Sequence, residues 1–184
     1  MSVAAVVLAA GASKQLGEPK QLVVLGGETL LERAVRIARE AECSPMVVVV
    51  GADYEQVLGN SVLGGVVMVI NEEWEEGMGS SIRLGVRAAK DAEGVLLMTC
   101  DQPAVTVKHL IHLTRTTEVK ASRYAGKNGV PAFFPKKYFD KLMELKGDAG
   151  ARELLAEAQY EELENGELDV DTMDDLERAR ELFG

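Results

Sequence analysis

Two side chains are framed for phosphate chemistry: Lys20, which closes a glycine-containing loop, and Asp101, which follows an apolar run. Residues 6–20 read Val-Val-Leu-Ala-Ala-Gly-Ala-Ser-Lys-Gln-Leu-Gly-Glu-Pro-Lys, and the hydrophobic run breaks at Ala9-Ala10-Gly11 into a small, polar stretch. A buried strand followed by such a loop is how α/β proteins present backbone N–H groups to phosphate. Gly11 and Gly17 allow the backbone to approach a ligand closely. Pro19 fixes the backbone ahead of Lys20, the loop's one well-framed cation. The spacing is neither that of a P-loop, whose lysine directly follows its second glycine, nor the Rossmann G-x-G-x-x-G. Farther along, Gly94-Val95-Leu96-Leu97-Met98-Thr99-Cys100 runs straight into Asp101-Gln102-Pro103. In open α/β sheets ligands bind beyond the C-terminal strand ends, so Asp101 belongs on the same rim as the loop after Leu8. A carboxylate there can hold Mg²⁺ together with nucleotide phosphates. A helix cap or turn aspartate is the other reading of Asp-Gln-Pro.

The elements that must position these groups follow from hydrophobic spacing. Thr29-Leu30-Leu31-Glu32 is a capping box, and Leu30, Leu31, Ala34, Ile37, Ala38 and Ala41 continue at helical spacing. Met46–Val50 and Val66–Ile70 are short apolar runs of the kind buried in parallel sheets. A short helix is expected from Asp53, another over Met78–Lys90, and one from Thr106 to about Thr117. Val130–Phe134 reads as a strand, helices are expected over 136–145 and 148–158, a strand over 167–170 and a last helix from Asp174 to Leu182. Strands alternating with helices predict a mostly parallel, Rossmann-like sheet covered on both faces, a three-layer α/β/α sandwich in one domain spanning residues 1–184.

Composition narrows the class. The 184 residues suffice for one domain with a full core, and 47% apolar with 27% charged residues is a globular composition. A net charge of −10 argues against nucleic acid or an anionic membrane as partner. Fifteen of the thirty acids fall in residues 140–184, where only five Lys or Arg occur, so the tail reads as a solvated acidic face. Cys43 and Cys100 lack metal-ligand spacing and form no disulfide framework, which suits a reducing compartment. The N-terminal apolar run lacks the basic residues of a signal peptide, and no apolar segment reaches the ~18 residues of a membrane span. A cytoplasmic location is expected. His109 and His112, three apart on a predicted helix, read as surface residues, and Trp74 reads equally as lid or core.

Leu8-Ala9-Ala10-Gly11-x-Ser13 with Gly17-x-Pro19-Lys20-Gln21-Leu22 resembles the signature L-A-A-G-x-S-x-R-M-G-x-P-K of the MobA-like nucleotidyltransferases, in particular the molybdenum cofactor cytidylyltransferase branch. The resemblance runs in order from Leu8 to Leu176. It implies a nucleotide-diphospho-sugar transferase type of fold and a triphosphate wrapped by residues 10–17, with Leu8, Ala9, Ala10, Gly11, Ser13, Lys14 and Gln15 at the nucleotide. It also implies Lys20 at the α-phosphate, Mg²⁺ on Asp101 and Gln102 at the nucleotide. Gln15 stands where the family has arginine, and Lys14 beside it is the alternative source of that charge. Gly77-Met78-Gly79-Ser80-Ser81 resembles the family's G-M-G-x-S, which puts Gly79, Ser80 and Ser81 at the nucleotide; an ordinary helix start is the plain alternative.

Asp169-Val170-Asp171-Thr172-Met173-Asp174-Asp175-Leu176 resembles the closing D-x-D-T-P-E-D-L. A helix start accounts for Asp174 and Asp175. Asp169 or Asp171 is left as the second metal carboxylate. Gly126-Lys127-Asn128-Gly129-Val130-Pro131 is a turn in its own right and is similar to the family's acceptor-side G-x-x-G-x-P, which assigns Gly129 and Pro131 to the acceptor. Gly147-Asp148-Ala149-Gly150-Ala151-Arg152 resembles the branch's G-D-x-G-A-R, with Asp148 as a helix cap and Arg152 toward an anionic acceptor.

The activity so implied is Mg²⁺-dependent transfer of CMP from CTP to molybdopterin cofactor, with release of pyrophosphate. Ala10 favours CTP, because the guanylyl branch usually has glycine there. The alternatives are another phosphate acceptor, such as a sugar phosphate, and a non-catalytic nucleotide- or cofactor-binding partner of a molybdoenzyme.

Overall fold

The computed structural model describes residues 1–148 and 150–184. β1 (Val3–Ala9) and β4 (Met46–Val50) are apolar and buried at every position, which requires cover on both faces of their sheet. With β5 (Val66–Ile70), β6 (Gly94–Thr99), β7 (Lys120–Tyr124), β8 (Lys127–Pro135) and β9 (Gln159–Glu162) they form a seven-stranded sheet in the order β5-β4-β1-β6-β8-β7-β9. β1 runs parallel to β4 and β6, β4 to β5, and β7 to β9. β8 is antiparallel to both its neighbours. A small hairpin of β2 (Val24–Leu25) and β3 (Glu28–Thr29) stands apart.

Successive side chains of a strand point to opposite faces, and β1 divides the interior accordingly. Val3, Ala5, Val7 and Ala9 share a core with α1 (Leu30–Glu40), α2 (Tyr54–Gly59) and α4 (Val107–Thr114). Ala4, Val6 and Leu8 share the other with α3 (Met78–Ala88), α5 (Phe139–Leu142) and α6 (Arg152–Leu155). The result is the expected three-layer α/β/α sandwich. α7 (Met173–Phe183) packs on the hairpin in a third, smaller core that includes Leu16 and Val170.

Local signals set the helix starts. Thr29 Oγ1 accepts from Glu32 N at 3.1 Å while Thr29 N donates to the Glu32 carboxylate at 3.0 Å. Thr172 and Asp175 close the same reciprocal box at the start of α7. Such caps are worth about 0.5–2 kcal/mol each.

The structure corrects several sequence expectations. Residues 148–158 do not form one helix: only Arg152–Leu155 is α-helical, and Ala149 lies outside the described residues. Over 136–145 a 3₁₀ turn (Lys136–Tyr138) precedes the short α5. α3 stops at Ala88 and α4 at Thr114, a few residues early. Residues 167–170 form no strand, although Val170 N donates to Asp101 O at 2.9 Å. The sheet is instead extended beyond β8 by β7 and β9, neither expected from the sequence. His109 is buried rather than exposed, because its Nε2 meets Ser122 Oγ at 2.7 Å and Ser122 Oγ in turn donates to Pro131 O. Among the described residues no helix is long and apolar enough to cross a membrane.

Candidate active site

Sheet register builds the site. Leu8 pairs with Thr99, so the loop leaving β1 and the Asp101 loop leaving β6 start level on one rim. The β1 loop closes where Lys20 N donates to Ser13 Oγ at 2.7 Å, and Pro19 leads into a 3₁₀ turn over Lys20–Leu22. That turn delivers Lys20 Nζ to Asp101 Oδ2 at 3.1 Å and to the Asp171 carboxylate. Thr99 Oγ1, at the end of β6, donates to Asp101 Oδ1 at 2.7 Å. The Val170 N–Asp101 O bond holds the 169–171 segment against the same loop. Asp171 therefore meets Lys20 directly, and Asp169 is the carboxyl crowded by the other two.

The electrostatics follow from this crowding. Asp169 is exposed at its surface, yet the protein around it, followed by the Asp101 and Asp171 charges, raises its pKa to about 7. Burial alone would lower the Lys20 pKa. The Asp101 and Asp171 carboxylates outweigh it and raise the pKa, so Lys20 stays a cation. Burial, then the Asp101 charge, pushes the Cys100 thiol up to about 12, which removes it as a nucleophile.

A cavity of about 400 Å³ opens on this rim. Leu8, Ala9, Ala10, Gly11, Ala12 and Lys14 line it from the β1 loop, and Lys20, Thr99 and Asp101 give it a charged end. Trp74, Gly77, Met78 and Ser81 contribute a more apolar wall, and Asp148 borders it as well. A Cβ on Gly11 would meet no protein atom within 4 Å, and Gly17 has the left-handed φ of +76°. Gly77 is required by its φ of +120° and by the 2.5 Å that a Cβ would leave to Asp148 Oδ1.

Several predicted residues serve the scaffold. Ser13 Oγ is used in loop closure, and Gln15 is exposed and does not line the cavity, whereas Lys14 does. Gly79 N donates to Gly147 O at 2.9 Å, and Ser80 Oγ is bonded to Asn71, Glu73 and Gly77. Gln102 Nε2 donates to Val130 O at 3.0 Å, tying the Asp101 loop to β8. Gly129 and Pro131 lie on β8 and Arg152 on α6, outside this cavity's lining. Asp148 caps no helix: α6 begins after Ala151 with no side-chain cap.

Two amides were not singled out from sequence. Asn71 is buried, with Nδ2 donating to Ser80 Oγ and Ser81 Oγ at 2.8 and 2.9 Å and Oδ1 accepting from Glu73 N at 2.9 Å. It fixes the Trp74–Ser81 wall. Gln21 is 1% exposed, and its Nε2 donates to Ala9 O at 2.7 Å and Gly11 O at 3.3 Å. Only its adjacency to Lys20 hinted at the site.

Among the described residues no cluster of three or more His, Cys, Asp or Glu is arranged to hold a metal. The donors at the Lys20 end are carboxylate oxygens, which suit Mg²⁺ or Mn²⁺. Such ions are commonly bound by one or two carboxylates with the remaining positions left to water and phosphate. The residues therefore fit a metal that arrives with a nucleotide.

Comparison with known proteins agrees with this geometry. Residues 5–163 match the model of the MobA-like NTP transferase domain. The chain is 31% identical to the nicotine blue oxidoreductase of Paenarthrobacter nicotinovorans, over 96% of this chain and 95% of that protein. It is also 31% identical to the probable molybdenum cofactor guanylyltransferase of Bacillus cytotoxicus, over 61% of this chain and 56% of that protein. The crystal structure of Rv0371c from Mycobacterium tuberculosis superposes with a TM-score of 0.86 at 32% identity, covering 98% of this chain and 97% of that one. The same protein has been solved in complex with manganese. Agreement across most of the chain in sequence, and nearly all of it in structure, makes this protein a member of the MobA-like NTP transferase domain family.

Proposed function

We propose that the protein transfers CMP from CTP to the phosphate of molybdopterin cofactor, releasing pyrophosphate in a Mg²⁺-dependent reaction. The observation that carries this reading is the Lys20–Asp101–Asp171 cluster at the end of the cavity walled by the β1 loop. A nucleotide has one flat, weakly polar end and one highly charged end, and the lining offers partners for both: Trp74 and Met78 for a base, Lys14 and Lys20 for phosphates. An oxygen of the acceptor phosphate attacks the α-phosphorus, the bond to the bridging oxygen breaks and pyrophosphate leaves with that electron pair. The acceptor oxygen is already ionised, so no general base is required, and positioning with charge stabilisation carries the rate.

Lys20, permanently cationic, binds the α-phosphate oxygens as charge builds on them. Lys14 binds the distal phosphates, in place of the arginine usual one position later. Asp101, oriented by Thr99, would hold the metal with Asp169 or Asp171. A bound Mg²⁺ would supply charge neutralisation to the triphosphate. The Rv0371c complex with manganese supports a divalent ion, and the name of the Bacillus cytotoxicus relative supports the molybdenum cofactor as acceptor. Ala10 in the loop favours cytosine over guanine.

The test is pyrophosphate release with each of CTP, GTP, ATP and UTP, Mg²⁺, and either molybdopterin cofactor or a sugar phosphate. Release that needs both CTP and the cofactor supports the reading. Release with the sugar phosphate alone moves the acceptor, and nucleotide binding without any release makes the protein a binding partner. Asp101→Asn keeps the side chain's shape and should abolish the Mg²⁺-dependent part of the nucleotide-induced thermal shift. An unchanged shift would leave Asp101 a loop-capping residue.

A further inference from the structure

We infer that Gln21, which borders the same cavity, is a positioning residue that sets the nucleotide cradle by clamping its backbone, an inference that rests on the nucleotide-binding reading above. Gln21 Nε2 donates to the carbonyls of Ala9 and Gly11, the residues on either side of Ala10. The Ala10 carbonyl between them accepts from Ala52 N at 3.0 Å. The peptide bonds in this segment are trans. In a planar trans peptide the C=O of one residue and the N–H of the next point in opposite directions. Holding the Ala9 and Gly11 carbonyls against Gln21 therefore turns the N–H groups of Ala10 and Ala12 away from it, while the Ala52 contact turns the Gly11 N–H away from Ala52. Among the described residues these three N–H groups donate to no protein acceptor, and the same three residues line the cavity. Unpaired backbone N–H groups on a fixed segment that borders a cavity are suited to anion binding.

The amide of Gln21 can take only one orientation here. Two carbonyl oxygens face it, so the NH₂ group must be turned to them. Its Oε1 is left buried without a partner, which is costly and uncommon. A hydrophobic residue of the same length would fill the space without that unpaired oxygen. What it would not supply is the pair of donors that fix the loop, and the retained cost is explained by that service. No role in the core requires it, because α1 and the 3₁₀ turn are held by their own backbone bonds and by the Thr29–Glu32 box.

The experiment compares wild type with Gln21→Met and Gln21→Glu, using CTP with Mg²⁺. Binding is read from the fluorescence of Trp74, the chain's single tryptophan, which lines the same cavity. Gln21→Met should keep the wild-type circular dichroism and weaken CTP binding by about 10- to 100-fold, with KM for CTP rising accordingly. In Gln21→Glu an ionised carboxylate faces two carbonyl oxygens, whereas the protonated form donates to one of them. Its affinity relative to wild type should therefore recover as the pH is lowered from 8 toward ~5, the range in which a buried carboxyl becomes protonated. A residue that merely fills space would show no such pH-dependent ratio. Wild-type affinity in a folded Gln21→Met, or a Gln21→Glu ratio that does not change with pH, would overturn the inference; if Gln21→Met does not fold, the Gln21→Glu ratio decides alone. Absence of nucleotide binding by wild type itself would instead overturn the functional reading on which the inference stands.

Discussion

Lys20 holds two carboxylates that the proposed metal also needs, and Lys20→Met separates those roles. The lysine lies 3.1 Å from Asp101, and the two side chains are 16% and 18% exposed. At an effective dielectric constant of about 20, one such contact is worth about 5 kcal/mol of Coulomb attraction before desolvation. Desolvating the two charges cancels much of that. Fully buried pairs cost about 3–5 kcal/mol to break and exposed ones about 0–1, so an intermediate loss of about 2 kcal/mol is expected. For a chain of this size that lowers the melting temperature by about 4–8 °C in EDTA. The unpaired Asp101 and Asp171, with Asp169 beside them, should then bind a divalent ion better than in wild type, since no ammonium competes. Titration with Mg²⁺ or Mn²⁺ should raise the melting temperature of Lys20→Met more than that of wild type, while turnover falls by about 10²-fold or more. The backbone contact from Lys20 N to Ser13 survives the substitution, so the loop should stay closed. A variant with no larger metal response than wild type would refute the shared-carboxylate arrangement.

Lys14 lines the cavity and Gln15 does not, so on the proposed reading Lys14→Ala should weaken triphosphate binding by about 5- to 30-fold, and Gln15→Arg should gain less than about threefold. A large gain from Gln15→Arg with no loss from Lys14→Ala would reverse the assignment; calorimetric titration with CTP decides. Burial lowers the His109 pKa to about 4, with Glu161 opposing and His112 and Lys120 adding to the fall. The unfolded chain takes up this proton near pH 6.5 and the folded chain only near 4, so stability is full above 6.5 and is lost as pH falls toward 4. The loss from this one group is on the order of 3 kcal/mol. Urea unfolding of wild type and His109→Phe across pH 4–7 isolates it, and equal pH slopes would contradict the buried, neutral imidazole.

The parts legible in the sequence were those whose signal is local. β1, β4 and β6 are uninterrupted apolar runs, and Thr29–Glu32 states its capping box in four letters. β7 and β9 were not legible. β7 reads Lys-Ala-Ser-Arg-Tyr and β9 reads Gln-Tyr-Glu-Glu, polar enough to pass as loop, and both form by pairing with distant partners. Leu168 and Val170 are buried like strand residues, but they pack under α7 and the segment makes one bond to the Asp101 loop in place of a ladder. His109 was misread because a histidine on a short helix carries no mark of the Ser122 hydroxyl that receives it. Lys20 and Asp101, which the fold brings to 3.1 Å of each other, stood out as candidates because each ends a recognisable strand or loop. Gln21 and Asn71 were invisible because their roles depend on carbonyls and hydroxyls that only the fold brings to them.

The most direct measurement follows the label in CTP. With Mg²⁺ and molybdopterin cofactor, phosphorus labelled at the α position should appear in the cofactor product, and phosphorus labelled at the γ position should appear only in pyrophosphate. Orthophosphate from the γ label, or bound CTP that transfers no α label to any acceptor, would contradict nucleotidyl transfer at this site.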